Sequence, residues 1–186
     1  LAAMLAGIVL LSLSIQSIWP LEIDIGSADR RFSADFNAIE DFAGTTVRWS
    51  NGDSLLSLPR PPSDGIVVLR LLNSRPEGQP DPTLELVADG HSLGSFPVQY
   101  ELSGARVYRV LAPQSASLDW ATRIRLRSAT FTPADDARQL GVVLDRAKIM
   151  PLAGGWYLPP LWLLFWSAFL GLVGYVTLRS IDLKRG

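Results

Sequence analysis

Residues 122–131 read TRIRLRSATF, and their opening alternates: Arg123, Arg125 and Arg127 are separated by Ile124 and Leu126. Successive side chains of an extended chain point to opposite faces, so three guanidiniums share one face and two aliphatic chains the other. This is the pattern of a half-buried antiparallel strand. The same period of two recurs outward from it in short runs at 45–50 (TTVRWS), 54–58 (SLLSL), 66–72 (IVVLRLL), 83–88 (TLELVA), 97–102 (PVQYEL), 106–111 (RVYRVL) and 140–149. Turn signals separate the runs: Asn51-Gly52, Pro61-Pro62, Asp89-Gly90, Ser103-Gly104 and Pro133. Regularly spaced short strands with turns between them predict an all-β antiparallel sandwich or jelly roll over residues 21–152. No helical stripe, no strand–helix alternation and no long internal repeat competes with that reading.

On either side the pattern changes. Residues 1–21 contain no Asp, Glu, Lys, Arg or His, and neither do residues 149–178. About 20 mostly apolar residues suffice to cross a hydrocarbon core of roughly 30 Å. Residues 161–178 read LWLLFWSAFLGLVGYVTL, with Trp156, Tyr157 and Trp162 as interfacial aromatics and Pro159-Pro160 suited to a first helical turn. The sequence therefore predicts a transmembrane helix over 153–178 and another over 1–20. The first lacks the small-residue cleavage site of a signal peptide, and its Ser12, Ser14, Gln16 and Ser17 suit packing against a neighbouring helix. Arg179, Lys184 and Arg185 make 179–186 a basic tail, which the positive-inside rule assigns to the cytoplasm. The expected arrangement is a two-pass protein of the cell (inner) membrane, both termini cytoplasmic and the sandwich extracytoplasmic.

Composition narrows the chemistry. Of 186 residues, 48% are hydrophobic and 19% charged, with 17 basic against 18 acidic side chains and a net charge of −1. A disordered polar chain is excluded, and the balanced charge gives no footprint for nucleic acid. The absence of cysteine excludes disulfides, thiolate metal sites, cysteine nucleophiles and iron–sulfur clusters. The single histidine, His91, follows Asp89-Gly90 in a hairpin and reads as an exposed turn residue, because a general base needs a substrate proton or nucleophile within reach. No catalytic residue is assigned.

The candidate binding residues follow from these patterns. Arg123, Arg125 and Arg127 form a positive strand face, suited to an acidic glycan, a lipid headgroup or a partner; the plainer alternative is a solvated face paired with carboxylates. Trp49 lies in a strand-like run and reads as core, whereas Trp120, beside Asp119 in a loop, is the better aromatic for a ligand. Asp35, Glu40 and Asp41 form one acidic cluster, in the loop before Trp49. Asp135 and Asp136 form another, with oxygen ligands of the kind Ca²⁺ takes but without the dense spacing of a Ca²⁺ loop. An ion pair between Asp136 and Arg138 is the plainer role. No other metal or cofactor is expected. Ser167, Gly171 and Gly174 form a small-residue strip that would let a partner helix approach closely.

The order of residues resembles a family. IDIGS at 23–27, VRWS at 47–50 followed by SLLSLP at 54–59, VVLRLL at 67–72, LELVADGHSLGSF at 84–96, VYRV at 107–110 and ATFTPADDARQLGVVLDRAKI at 129–149 are similar to the jelly-roll, galactose-binding-like domains on the outer side of bacterial membrane proteins, often attached to family-39-like glycosyltransferases. The resemblance implies a jelly roll outside the membrane and no catalysis in this segment, because the transferase chemistry of those proteins resides elsewhere in their chains. The expected function is that of a membrane-anchored, non-catalytic module. It would act as an accessory or structural subunit that meets a membrane-protein partner through its helices, or it would recognise glycan. The alternative is a fragment or split subunit of a membrane glycosyltransferase.

Overall fold

One strand organises the molecule. β3 (Thr45–Pro59) is 15 residues long and bends at Gly52, whose φ of +102° lies in the region that favours glycine. A Cβ there would also stand 2.8 Å from Thr130 Cγ2. Before the bend, Arg48 and Trp49 pair with Leu144 and Val143 of β9 (Val143–Pro151); after it, Asp53 to Pro59 pair with β8 (Ala121–Ser128). The nine strands among the described residues form one continuous hydrogen-bonded ladder, and the bend in β3 folds it into the two layers, a first and a second sheet, of a sandwich. The structure, a computed structural model, describes residues 7, 20–27, 29–42, 44–61, 63–72, 74–76, 78–99, 104–114, 119–152 and 161–182, with side chains in the last range at 165, 166 and 168–177.

Beyond β8 the first sheet continues through β5 (Thr83–Ala88) to β6 (His91–Pro97), while β2 (Ser33–Phe42) pairs along β3. Beyond β9 the second continues through β4 (Gly65–Leu72) to β7 (Arg106–Ala112), and β1 (Leu21–Asp24) also pairs with β9. All pairings are antiparallel. Alternation then decides which side chains meet. Leu56, Leu58, Leu84, Leu86, Ile124 and Leu126 of the first sheet and Val67, Leu69, Leu71, Ala147 and Ile149 of the second are all buried. Two antiparallel sheets with buried inner faces are a β-sandwich of jelly-roll type. Trp49 is core as expected, packed with Val47, Leu140 and Val143, and Phe131 meets it edge-on at 5.7 Å.

Several elements differ from the sequence reading. Asn51-Gly52 is a bend inside one strand, so the runs at 45–50 and 54–58 are one element. Asp35, Glu40 and Asp41 lie on β2 rather than in a loop, because that strand, broken by two register shifts, does not alternate cleanly. β6 begins at His91 and ends at Pro97, where the predicted strand began; residues 100–103 lie outside the described residues.

The sandwich occupies Pro20–Ala153, a unit separate from the one that holds α1 (Leu161–Asp182). The two-pass membrane topology expected from the charge-free windows does not hold: among the described residues, no helix is long and apolar enough to cross a membrane. Two passes need two helices of about 20 apolar residues each, and the described elements include one helix, whose last turns carry Arg179 and Asp182. The inner-membrane placement, with the central domain outside and both termini cytoplasmic, is therefore withdrawn, and the membrane and a membrane-protein partner lose their support with it. Of the first expected span, 1–20, only Gly7 and Pro20 are among the described residues.

Candidate functional site

Strand register builds the site. Across the outer face of the first sheet, β8 lies between β3 and β5, and its three arginines each head a row. Asp53, Arg127 and Glu85 are cross-strand partners in one row, and Leu55, Arg125 and Val87 in the next. In the third, Ser57 pairs with Arg123, whose carbonyl accepts a 2.9 Å hydrogen bond from the Asp89 N–H. Ile124 and Leu126 point the other way and are fully buried, which fixes the arginines on the outside. The face is hollowed into a trough of about 580 Å³ lined by Leu55, Val87, Asp89–Gly90, Asp119 and the three arginines.

The arginines do not form an uncompensated positive stripe. Arg125 Nη1 lies 3.2 Å from Asp53, Arg127 lies 3.7 Å from Asp53 and 3.9 Å from Glu85, and Arg123 Nη2 lies 3.0 Å from Asp119. Arg60 makes a fourth pair, 3.0 Å from Asp89. Three guanidiniums of β8 thus meet three exposed carboxylates, which is the solvated, paired face that the sequence offered as the plainer reading, while the Arg60–Asp89 pair beside it is mostly buried. Groups in such exposed pairs are held loosely and exchange easily with water or a ligand. The floor between them is apolar where Leu55 and Val87 flank Arg125.

Trp120 follows Asp119 at the end of the trough. It is 67% exposed but is not among the trough-lining residues. His91 opens β6 and borders a second cavity of about 310 Å³ on the other side of the Asp89–Gly90 turn, with Ala88, Leu93 and Pro113. Asp89 is in the left-handed region, φ +48°.

The other candidates lie elsewhere. Both oxygens of Asp136 are engaged by Arg138, Oδ1 by its backbone N–H at 2.9 Å and Oδ2 by its Nε at 2.6 Å. These bonds hold the Asp136 carboxyl below its ordinary range. Arg138 also reaches Glu40 at 2.7 Å, and Glu40 accepts the Trp49 indole N–H at 3.2 Å, so the loop is fastened to the core. Asp135 is exposed beside this network. Among the described residues no three His, Asp or Glu side chains gather as a metal site. Gly171 and Gly174 lie exposed on α1, where an added Cβ would meet nothing within 4 Å; the side chain of Ser167 is outside the described residues.

The arginines were readable from the sequence. Asp53, Leu55, Glu85, Val87, Asp89, Asp119 and Arg60 were not singled out, although Asp53, Leu55 and Ser57 repeat at period two within one strand. That spacing was a signal, but which strand faces which is not written in it.

No family model matches the sequence, and no curated protein matches it. Among solved structures the fold is similar to the C-terminal CBM6 domain of the marine laminarinase LamC from Zobellia galactanivorans, at 16% identity and a TM-score of 0.47 over 70% of this chain and 98% of that one. It is also similar to the CBM36-1 domain of a multidomain xylanase from the hindgut metagenome of Trinervitermes trinervoides, at 14% identity and 0.45 over 73% and 99%. A module from Clostridium stercorarium, solved with cellobiose, matches at 16% identity and 0.43 over 70% and 92%. None of these likenesses says what this chain binds.

Proposed function

We propose that the sandwich is a non-catalytic glycan-recognition module and that the trough across β3, β8 and β5 is its binding face. The observation that carries the reading is the middle row, Leu55–Arg125–Val87, with charged pairs on both sides of it. A pyranose has apolar C–H faces and a rim of hydroxyls. An apolar floor takes the ring, while guanidiniums donate to and carboxylates accept from neighbouring hydroxyls through charge-assisted hydrogen bonds. Trp120 offers an exposed indole at the Asp119 end for a further ring. The pairing of all three β8 arginines with carboxylates favours a neutral glycan over the acidic glycan or lipid headgroup that the arginines alone suggested, because an anion would have to displace a carboxylate at every contact.

The test is calorimetric titration of the full chain with neutral oligosaccharides (cellotriose, xylotriose, laminaritriose) and with acidic trigalacturonate. Saturable binding of a neutral member, weakened about tenfold or more by Arg125→Ala, supports the reading. Binding of trigalacturonate alone moves the site to the polyanion class. Binding of none, by a well-folded protein, overturns it.

A further inference from the structure

We propose that Arg60 is the positioning residue of this trough, a role that rests on the glycan reading for its consequence but not for its geometry. Arg60 follows the last residue of β3 and is itself mostly buried, with 12% of its side chain exposed. It does not line the cavity. Its backbone N–H donates to the Trp120 carbonyl at 2.8 Å, its Nε to the Asp119 carbonyl at 2.9 Å and its Nη2 to the Ala121 carbonyl at 2.8 Å. The same Nη2 lies 3.0 Å from Asp89 Oδ2. Three consecutive residues of one wall and the turn that forms the other wall therefore converge on one residue, Asp119, Ala121 and Asp89 on its side chain and Trp120 on its backbone N–H.

The Asp89 end explains why that matters. Asp89 occupies a left-handed conformation that a non-glycine residue adopts only when its surroundings impose it. Two contacts do so: Oδ1 accepts the Arg123 N–H at 2.9 Å, and Oδ2, which has no hydrogen-bond partner, is held by the Arg60 ion pair at 3.0 Å. Arg60 is thus what ties the Asp89–Gly90 turn to the Asp119–Ala121 segment, setting the distance between the walls and the place of Trp120. A planar fork with donors aimed in several directions can hold two carbonyls and a carboxylate together, which a single ammonium cannot. Lysine should keep the charge and lose the positioning.

Two measurements on the full chain separate this role from a general contribution to stability. Hydrogen–deuterium exchange without ligand reads the walls directly. Arg60→Lys should speed exchange at residues 88–91 and 119–123 about tenfold while leaving β4 and β9 unchanged. Titration with cellotriose should then show affinity about tenfold lower, because unordered walls must be ordered on binding. Asp89→Asn, which keeps the Oδ1 acceptor for Arg123, should loosen 88–91 and spare 119–121. If Arg60→Lys leaves exchange at both walls as it was, or loosens every strand alike, Arg60 is not a positioning residue. If the walls loosen and cellotriose binds equally well, the positioning does not serve this site. If the native chain binds no sugar, the glycan reading fails while the exchange result still decides the geometry.

Discussion

Two faces of the sandwich carry arginines and use them differently. On β8, Arg125 and Arg127 are about half exposed, and so are their partners Asp53 and Glu85. On β4 and β9, Arg70 and Arg146 lie in one row, but the carboxylate between them, Asp145, is 1% exposed. Asp145 is the extra residue of a β-bulge: Arg70 pairs with Arg146 and Leu71 with Leu144, which leaves it unopposed. Its Oδ2 is hydrogen-bonded by Arg70, and its Oδ1 has no hydrogen-bond partner. An exposed ion pair can open to a ligand at little cost, whereas a buried carboxylate depends on the cations that reach it. The burial of the partner, not the arginine pattern, separates a binding face from a fastening.

The contrast is sharpest in stability. Arg70→Ala removes the hydrogen-bonded cation of buried Asp145 and leaves only Arg146 Nε, 3.8 Å away; it should cost about 3 kcal/mol, read as a fall in Tm of roughly 10 °C. A loss under about 1 kcal/mol would put this pair in the same class as those on β8. The second buried carboxylate extends the rule. Asp29 accepts hydrogen bonds from Ser33, from Arg48 at 2.8 Å and from the Gly26 N–H at 3.1 Å. Burial works to raise its carboxyl, but these donors outweigh it and hold the group below 3.8. Asp29→Asn should cost about 2 kcal/mol at neutral pH. Because the folded-state value is the depressed one, the stabilisation is complete above the unfolded value and is lost as pH falls through the folded one. Chemical melts of native protein and variant should therefore converge in acid, below the depressed folded-state value, and differ constantly from about pH 5 to 8; a difference that persisted in strong acid would deny the charge its role.

Gly52 keeps the two faces on separate sheets. Gly52→Ala places a side chain at φ +102° against Thr130 and should cost about 1–2 kcal/mol in denaturant melts. The smallest stability effect belongs to the trough: Arg125→Ala should change Tm by no more than about 2 °C while weakening cellotriose binding. A large fall in Tm would make the trough a fastening as well.

What could be read in advance follows the same physics. β4 and β7 were legible because they alternate from end to end, and β8 because it alternates from Thr122 to Arg127. β2 was not, since register shifts between Ala34 and Phe36 and between Phe36 and Ile39 break its period. Asn51-Gly52 has hairpin chemistry but is used as a bend, because both flanks find partners in strands far along the chain rather than in each other. Arg123, Arg125 and Arg127 were legible as a face, but their neutralisation was not: Asp53, Glu85 and Asp119 arrive from three other segments, and only the register sets them opposite. The membrane reading came from two charge-free windows, and windows of composition do not by themselves become crossing helices.

The shared strand also bears on how the molecule assembles. β3 cannot complete its ladder until β8 and β9, which the chain supplies last, have arrived on its two halves. Neither sheet can therefore close early on local contacts, and both wait on the same distant segments. Such non-local pairing places folding in the millisecond-to-second range. It also makes the two sheets appear together in a single kinetic phase, with β3 as the strand whose contacts are counted in both.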